Sequence, residues 1–96
     1  SVNKASLFKL LDDQNNACAL TSRALTPDNA TLDHIVPVSA GGSHSVDNLQ
    51  WVTREANHAK GTMTQQEFIR LCMDVSKTHA PMWVLAARLG KVCRRP

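Results

Sequence analysis

The chain has 96 residues, enough for one domain with one modest core, because a chain of this size hides roughly 60 to 70% of its unfolded surface. Apolar residues make up 43% of the chain and charged residues 20%, which is typical of soluble globular proteins. No apolar run approaches the ~18 to 20 residues that span a bilayer, so no membrane-spanning helix is expected. We expect residues 1–96 to form a single domain.

The net charge and the cysteines indicate the class of partner and the compartment. A net charge of +3 favours a polyanionic partner. Cys18, Cys72 and Cys93 are odd in number and form no CxxC pair, which argues against a disulfide framework and against a zinc ribbon. We therefore expect buried, reduced thiols in a cytoplasmic protein.

Taken in chain order, the first predicted elements are a helix and a hairpin. Leucines at helical spacing predict an amphipathic helix over residues 3–14. A short extended piece at 17–20 follows, and Thr-Pro-Asp-Asn at 26–29 has turn chemistry. Strands are then predicted at 31–36 and 49–52.

The segment between the two strands is expected to be a surface loop over residues 37–47. Pro37 cannot donate to a strand ladder, and the Gly-Gly pair at 41–42 permits positive φ. The order is therefore strand, loop, strand, with a helix to follow.

Three helices are predicted after the second strand, over residues 53–60, 64–78 and 81–92. Thr53 is a plausible N-cap for the first, and Gly61 is a natural stop. Thr64 and Glu67 have capping-box spacing, and Pro81 suits the first turn of the last helix. The middle helix carries an apolar stripe that we expect to pack in the core: Phe68, Ile69, Leu71, Cys72 and Val75.

Three clusters of polar residues lie along the predicted hairpin and the short helix after it. They are Asp33-His34, Asn48 and Asn57-His58-Ala59-Lys60. The stretch that holds them, LDHIVPVSAGGSHSVDNLQWVTREANHAKG from Leu32 to Gly61, closely resembles the core of the HNH endonucleases. The resemblance covers about a third of the chain. It implies an α+β fold, in which a ββα-metal core of a two-stranded antiparallel hairpin and a short helix, at residues 31–61, is packed by flanking helices.

The residue types in these clusters suit phosphodiester hydrolysis. This reaction needs a deprotonated water and a cation that neutralises charge on the phosphate oxygens. Since unperturbed histidine has a pKa near ~6.5, neutral His34 can accept a proton from water, and we expect it to be the general base. Asp33 offers an anionic oxygen and Asn57 a neutral one, a pairing that suits one Mg²⁺ or Mn²⁺ ion.

The second metal ligand has two candidates on the short helix. By resemblance, Asn57 takes the place of the family's final ligand, because it precedes Lys60 by three residues. His58 competes with it, but helix neighbours lie about 100° apart and cannot both point at one ion. Asn57 is preferred. If His58 is the ligand instead, the site should accept Zn²⁺, Ni²⁺ or Co²⁺ more readily.

The remaining site residues are expected to support the loop or to hold phosphate. Asn48 can bridge backbone groups at the end of the loop. Arg54 and Lys60 flank the proposed ligand and could contact DNA phosphates. Asp33 and His34 would face opposite sides of a regular strand, so the strand must twist or end there. The paired CxxC zinc motifs of many family members are missing, and packing must replace the zinc.

The other histidines and the tryptophans are given no role in chemistry. His44 and His79 have no partner that the sequence identifies, so surface or local hydrogen-bonding roles are expected. Trp51 and Trp83 are expected to pack in the core.

The leading hypothesis is a metal-dependent HNH endonuclease that hydrolyses DNA. The alternative is a non-catalytic nucleic-acid-binding module of a larger protein, and a third interpretation is a purely structural domain. Each feature alone has a simpler explanation, and only their conjunction in one order favours the nuclease. The sequence leaves open whether a homodimer or a larger parent protein supplies specificity, and whether one strand or two are cut.

Overall fold

A computed structural model describes residues 2–80. The predicted helix over 81–92, which contains Trp83, lies outside them, and so does Cys93. The described α-helices and strands, in chain order, are α1 (Lys4–Asp13), β1 (Ala30–His34), β2 (Leu49–Thr53), α2 (Arg54–Lys60) and α3 (Gln65–His79), and two short 3-10 helices, Val38–Ala40 and Val46–Asn48, lie between the strands. The predicted order of strand, loop, strand and helix is confirmed, and so is the α+β class. No helix in the described part of the chain is long and apolar enough to cross a membrane.

The two strands form an antiparallel hairpin whose register places the site. Asp33 pairs with Gln50, and His34 pairs with Leu49. β1 ends at His34, two residues sooner than predicted, because the backbone N–H of Val36 bonds the side chain of Asn48 rather than a strand. The strand therefore ends at Asp33 and His34, the two adjacent residues that are both expected to face the site.

Hydrogen bonds between side chains and backbone hold α1 and the residue after it against β2. The Gln14 amide donates to the carbonyl of Trp51 and accepts from its N–H, both at 2.9 Å. The Trp51 indole N–H donates to the carbonyl of Leu7, also at 2.9 Å. Trp51 is therefore half-buried against α1. Beyond α1, Asn15 and Asn16 take positive φ, which asparagine tolerates better than most residues.

The core of the described chain is small. It lies between the segment that connects α1 to β1, the strand β2 and the helix α2. Cys18, Val52 and Ala56 are buried together, and Leu20 and Leu25 pack against them. Val52 is fully buried, which stabilises the fold by roughly 1.5 to 3 kcal/mol. The extended piece predicted near Ala17 is present as an isolated bridge to Ala24.

The buried Cys18 thiol interacts with the backbone around it. Burial raises the pKa of Cys18, but hydrogen bonds from the Thr21 side chain and from backbone N–H groups, that of Thr53 first, outweigh it and lower the pKa. The expectation of buried thiols holds for Cys18 and is wrong for Cys72, which is exposed.

Helices α2 and α3 begin as the capping residues predicted. The Thr53 hydroxyl accepts from the N–H of Ala56, and Gly61 follows α2 with φ 56°. The Thr64 hydroxyl accepts from the Glu67 N–H, and the Glu67 carboxylate accepts from the Thr64 N–H.

The prediction that the apolar stripe of α3 packs in the core is wrong for the described chain. No residue of α3 is buried, and Ile69, Leu71 and Val75 are exposed, at 44, 49 and 55%. The helix joins the domain at its first turn, where the Gln65 N–H donates to the carbonyl of Ile35 at 3.2 Å. Its stripe borders an open groove beside Leu20 instead of entering the core.

Candidate active site

A cleft of about 310 Å³ opens where the end of β1 meets α2. Asp33 and His34 reach it from β1, and Asn57 and Lys60 reach it from α2. The remaining wall is made by the start of the loop, including Pro37, and by the residues after α2. Four of the residues predicted for the site therefore surround one space.

Asp33 is buried in an ion pair that joins β1 to α2. Lys60 Nζ lies 3.0 Å from Asp33 Oδ1, and the two side chains are only 1 and 6% exposed. The same ammonium donates to the backbone carbonyl of His34 at 2.8 Å. This placement differs from the expectation that Lys60 holds a phosphate, because an ammonium enclosed by its own domain offers no surface to DNA.

Gln50 is part of the site although the sequence analysis gave it no role. Its amide Nε2 donates to Asp33 Oδ2 at 2.9 Å, and the residue is buried. Both oxygens of the carboxylate thus have a hydrogen-bond donor. The signal available in the sequence was the hairpin register, since Gln50 lies directly opposite Asp33.

His34 closes β1 and is half-buried. Its Nε2 lies 3.1 Å from Nδ1 of His44, and the two rings meet edge to face with centroids 5.0 Å apart. Because β1 ends here, Asp33 and His34 both line the cleft in spite of their adjacent positions. The surface or local hydrogen-bonding role expected for His44 is present, and its partner is the ring of the predicted base.

Asn48 bridges the two ends of the loop. Its Oδ1 accepts from the N–H of Val36 at 2.9 Å, and its Nδ2 donates to the carbonyls of Val36 and Ser43 at 3.0 and 2.8 Å. All three partners are backbone groups, so the amide fixes the two ends of the loop to each other.

The candidates on α2 differ in exposure and direction. Asn57 is half-buried and lines the cleft, whereas the neighbouring His58 is exposed and is absent from the cleft's described lining. Arg54 is exposed, and its Nε donates to the carbonyl of Asp28 at 3.1 Å. Asn57 thus shares the space of Asp33, and Arg54 lies on the surface.

The donor set fits a hard divalent cation only in part. Among residues 2–80, no three His, Cys, Asp or Glu side chains gather into a cluster that could hold a metal ion. One carboxylate and one amide from Asp33 and Asn57 are the available oxygens. Each carboxylate oxygen can accept two bonds and holds one here, so a lone pair remains on each. Such a sparse set suits an ion that keeps several of its waters.

The central region of the chain matches a known protein family. A family model described as HNH endonuclease matches residues 18–73, which is more than half of the chain. The match runs from the buried Cys18 through the hairpin, the cleft and α2 into α3. No curated protein matches the chain in a sequence comparison. The extent of the family match, on a hairpin and helix arranged as that family's core requires, means that the chain belongs to the HNH endonuclease family.

Proposed function

We propose that this chain is a metal-dependent endonuclease that hydrolyses DNA phosphodiester bonds with a single divalent ion. Family membership indicates a nuclease acting on DNA and generally using a divalent metal. The observation that carries the finer proposal is that Asp33, His34 and Asn57 line the same cleft.

His34 is proposed as the general base. It is half-buried and lines the cleft in which the attacking water would bind. The imidazole removes a proton from that water as the oxygen attacks phosphorus in line with the departing 3′ oxygen. The products are then a 5′-phosphate and a 3′-hydroxyl.

Asp33 and Asn57 are the proposed metal ligands. A divalent ion held there would supply neutralisation of the charge that grows on the phosphate oxygens. Lys60, instead of binding phosphate, holds the Asp33 carboxylate in place through the buried ion pair. His58 stays as the alternative ligand, although its exposed position outside the cleft lining favours Asn57.

Binding of the DNA backbone is proposed to use exposed basic side chains. Arg54 is exposed at the start of α2, and it bonds the carbonyl of Asp28 through Nε, so its terminal guanidinium nitrogens can contact phosphate. The net charge of +3 adds a favourable field for a polyanion. Contacts of this kind give affinity without sequence choice.

One observation favours a second candidate, a nucleic-acid-binding module that does not cut. Both oxygens of Asp33 already hold donors, from Lys60 and Gln50. The buried carboxylate is therefore satisfied without any metal ion. This second candidate predicts binding of DNA with no chelator-sensitive cleavage.

Cleavage of supercoiled plasmid separates the two candidates. We expect the chain to nick or linearise plasmid in Mg²⁺ or Mn²⁺ and to stop when EDTA is added. His34→Ala should abolish the cleavage. Asp33→Asn should do the same; this substitution is preferred to alanine because it leaves an oxygen acceptor beside the buried Lys60 ammonium. Full metal-dependent cleavage by His34→Ala would overturn the assignment of the base.

The same assay distinguishes the two candidate ligands on α2. Asn57→Ala should lose cleavage, while His58→Ala serves as its matched control on the next residue and should keep the preference for Mg²⁺ or Mn²⁺. The opposite result, with activity lost in His58→Ala and supported by Zn²⁺, Ni²⁺ or Co²⁺ in the unsubstituted chain, would assign His58 as the ligand.

A further inference from the structure

We propose that His44 is a positioning residue that fixes the ring orientation and the tautomer of His34. The inference rests on the proposed role of His34 as general base and extends the site to the loop. It starts from the contact between His34 Nε2 and His44 Nδ1, 3.1 Å apart with the rings edge to face. A pair of neutral imidazoles at this distance shares one hydrogen, so one ring nitrogen donates and the other accepts.

The direction of that bond decides whether His34 can act as a base. If His34 Nε2 carries the hydrogen and donates it to His44, then His34 Nδ1 keeps its lone pair and can accept a proton from water. If His44 donates instead, the lone pair of His34 is consumed by the bond and its Nδ1 carries a hydrogen. Only the first arrangement is competent, and it requires His44 to act as the acceptor through Nδ1.

The position of the two residues relative to the cleft agrees with this direction. His34 lines the cleft together with Asp33 and Asn57, whereas His44 is absent from the described lining. The bond to His44 therefore engages His34 from the loop and leaves the cleft available for water. A ring placed to block the base would be expected to border the cleft itself.

The loop is built so that His44 is held in place. Asn48 Nδ2 donates to the carbonyl of Ser43, the residue before His44, at 2.8 Å. The hydroxyls of Ser43 and Ser45 bond each other at 2.9 Å, which brackets His44 on both sides.

Gly42 allows the loop to approach the strand end closely. A Cβ at this position would lie 1.8 Å from the carbonyl oxygen of Val36 and 2.9 Å from Asn48 Nδ2. Only glycine fits so near to backbone atoms. The brace at Asn48 and the close approach at Gly42 thus act on the same short segment and bring His44 to His34.

Two variants of nearly equal shape test the acceptor. Asparagine can place Oδ1 where His44 has Nδ1, so His44→Asn keeps an acceptor, while His44→Leu has the same branching and none. We expect His44→Leu to lower kcat for plasmid cleavage roughly 10- to 100-fold through misplacement of the base, with KM unchanged. His44→Asn should recover most of the loss. His79→Leu, which removes an exposed histidine from the end of α3, should cleave normally.

Nitrogen NMR of the imidazoles gives a readout that a merely structural role would not move. In long-range ¹H–¹⁵N spectra of the metal-free protein without DNA, we expect His34 to carry its hydrogen on Nε2. His44→Asn should retain that tautomer, and His44→Leu should give a mixture with the Nδ1–H form.

Three results would each overturn the inference. They are a hydrogen on Nδ1 of His34 in the unsubstituted chain, no change of its tautomer in His44→Leu, or cleavage by His44→Leu as fast as or faster than normal; faster cleavage would make His44 an inhibitory cover of the base. A chain that does not cleave at all would contradict the proposed function, and the NMR spectra would still decide the role of His44.

Discussion

The buried pair of Asp33 and Lys60 is the strongest electrostatic feature of the site. Its two side chains are 6 and 1% exposed, and the ammonium also holds the carbonyl of His34. A buried ion pair adds little stability over an apolar pair of the same shape, but removal of one partner leaves an uncompensated charge. The pair therefore acts as a latch between β1 and α2 that fixes where the carboxylate points.

Replacement of Lys60 by methionine should reveal this latch. Methionine has nearly the same length, so Lys60→Met removes the charge with little change of packing. We expect the free energy of unfolding to fall by about 3 to 5 kcal/mol, because the Asp33 carboxylate is left buried without its cation. Urea denaturation measures the change.

The double variant Lys60→Met with Asp33→Asn is the control for this prediction. It removes both charges and should recover part of the lost stability, since no buried charge remains. A loss below about 1 kcal/mol in the single variant, or no recovery in the double one, would show that the pair is not a latch.

The sequence predicted some residues of the cleft and missed others for a physical reason. Asp33, His34 and Asn57, which line the cleft, were predicted from their functional groups and from the resemblance of their order and spacing to the HNH core. The burial of Lys60 and the contact from His44 depend on how α2 and the loop fold back on β1, and no local spacing encodes that. Gln50 was also missed, but it could have been predicted from the register of the hairpin, which places it opposite Asp33.

At the scale of elements, α3 depends on its capping box. The backbone N–H of Thr64 and then its hydroxyl lower the pKa of Glu67 below the ordinary value of 4.5. A carboxyl whose pKa falls on folding stabilises the fold fully above its unfolded pKa. That contribution is lost as the pH falls through the lower folded value.

We therefore expect the stability of α3 to decrease as the pH drops below about 4.5, and Glu67→Gln to weaken this dependence because glutamine does not titrate. Helical circular dichroism in urea at pH 7 and at pH 3.5 measures it. Asp74→Asn removes a carboxylate from the same helix without touching its cap. An equal change in both variants would mean that the cap is not responsible.

The elements themselves were predicted well where local signals define them. Thr53 and Thr64 mark the starts of α2 and α3 because a side-chain oxygen is needed to satisfy the first N–H groups of a helix. The end of β1 was placed too late, since the side chain of Asn48 takes over the pairing of Val36. The surroundings of the α3 stripe were also mispredicted, because periodicity gives the apolar face of a helix and not what lies against it.

At the scale of the whole molecule, the core that residues 2–80 form is small, so ligand binding should make a large contribution to the stability of this part of the chain. The buried apolar cluster is Cys18, Val52 and Ala56 with two flanking leucines. Stability of such a domain rests on few contacts, and a ligand that binds only the folded state adds to it directly. The proposed ligands Asp33 and Asn57 come from β1 and α2, so a bound ion would tie together the elements around this core.

Addition of Mg²⁺ should therefore raise the melting temperature of the chain. An ion at ten times its Kd stabilises the folded state by about 1.4 kcal/mol, which corresponds to about 6 to 11 °C for a domain of this size. Asp33→Asn should abolish the increase. In Lys60→Met, the rise in melting temperature from the metal-free to the Mg²⁺-bound protein should be larger, because the ammonium no longer competes with the ion for the carboxylate. Differential scanning calorimetry, with NaCl at matched ionic strength as the control for screening, measures the shifts. Equal shifts in the unsubstituted chain and in Asp33→Asn would place the ion elsewhere, since only a site that includes this carboxylate couples the metal to the latch between strand and helix.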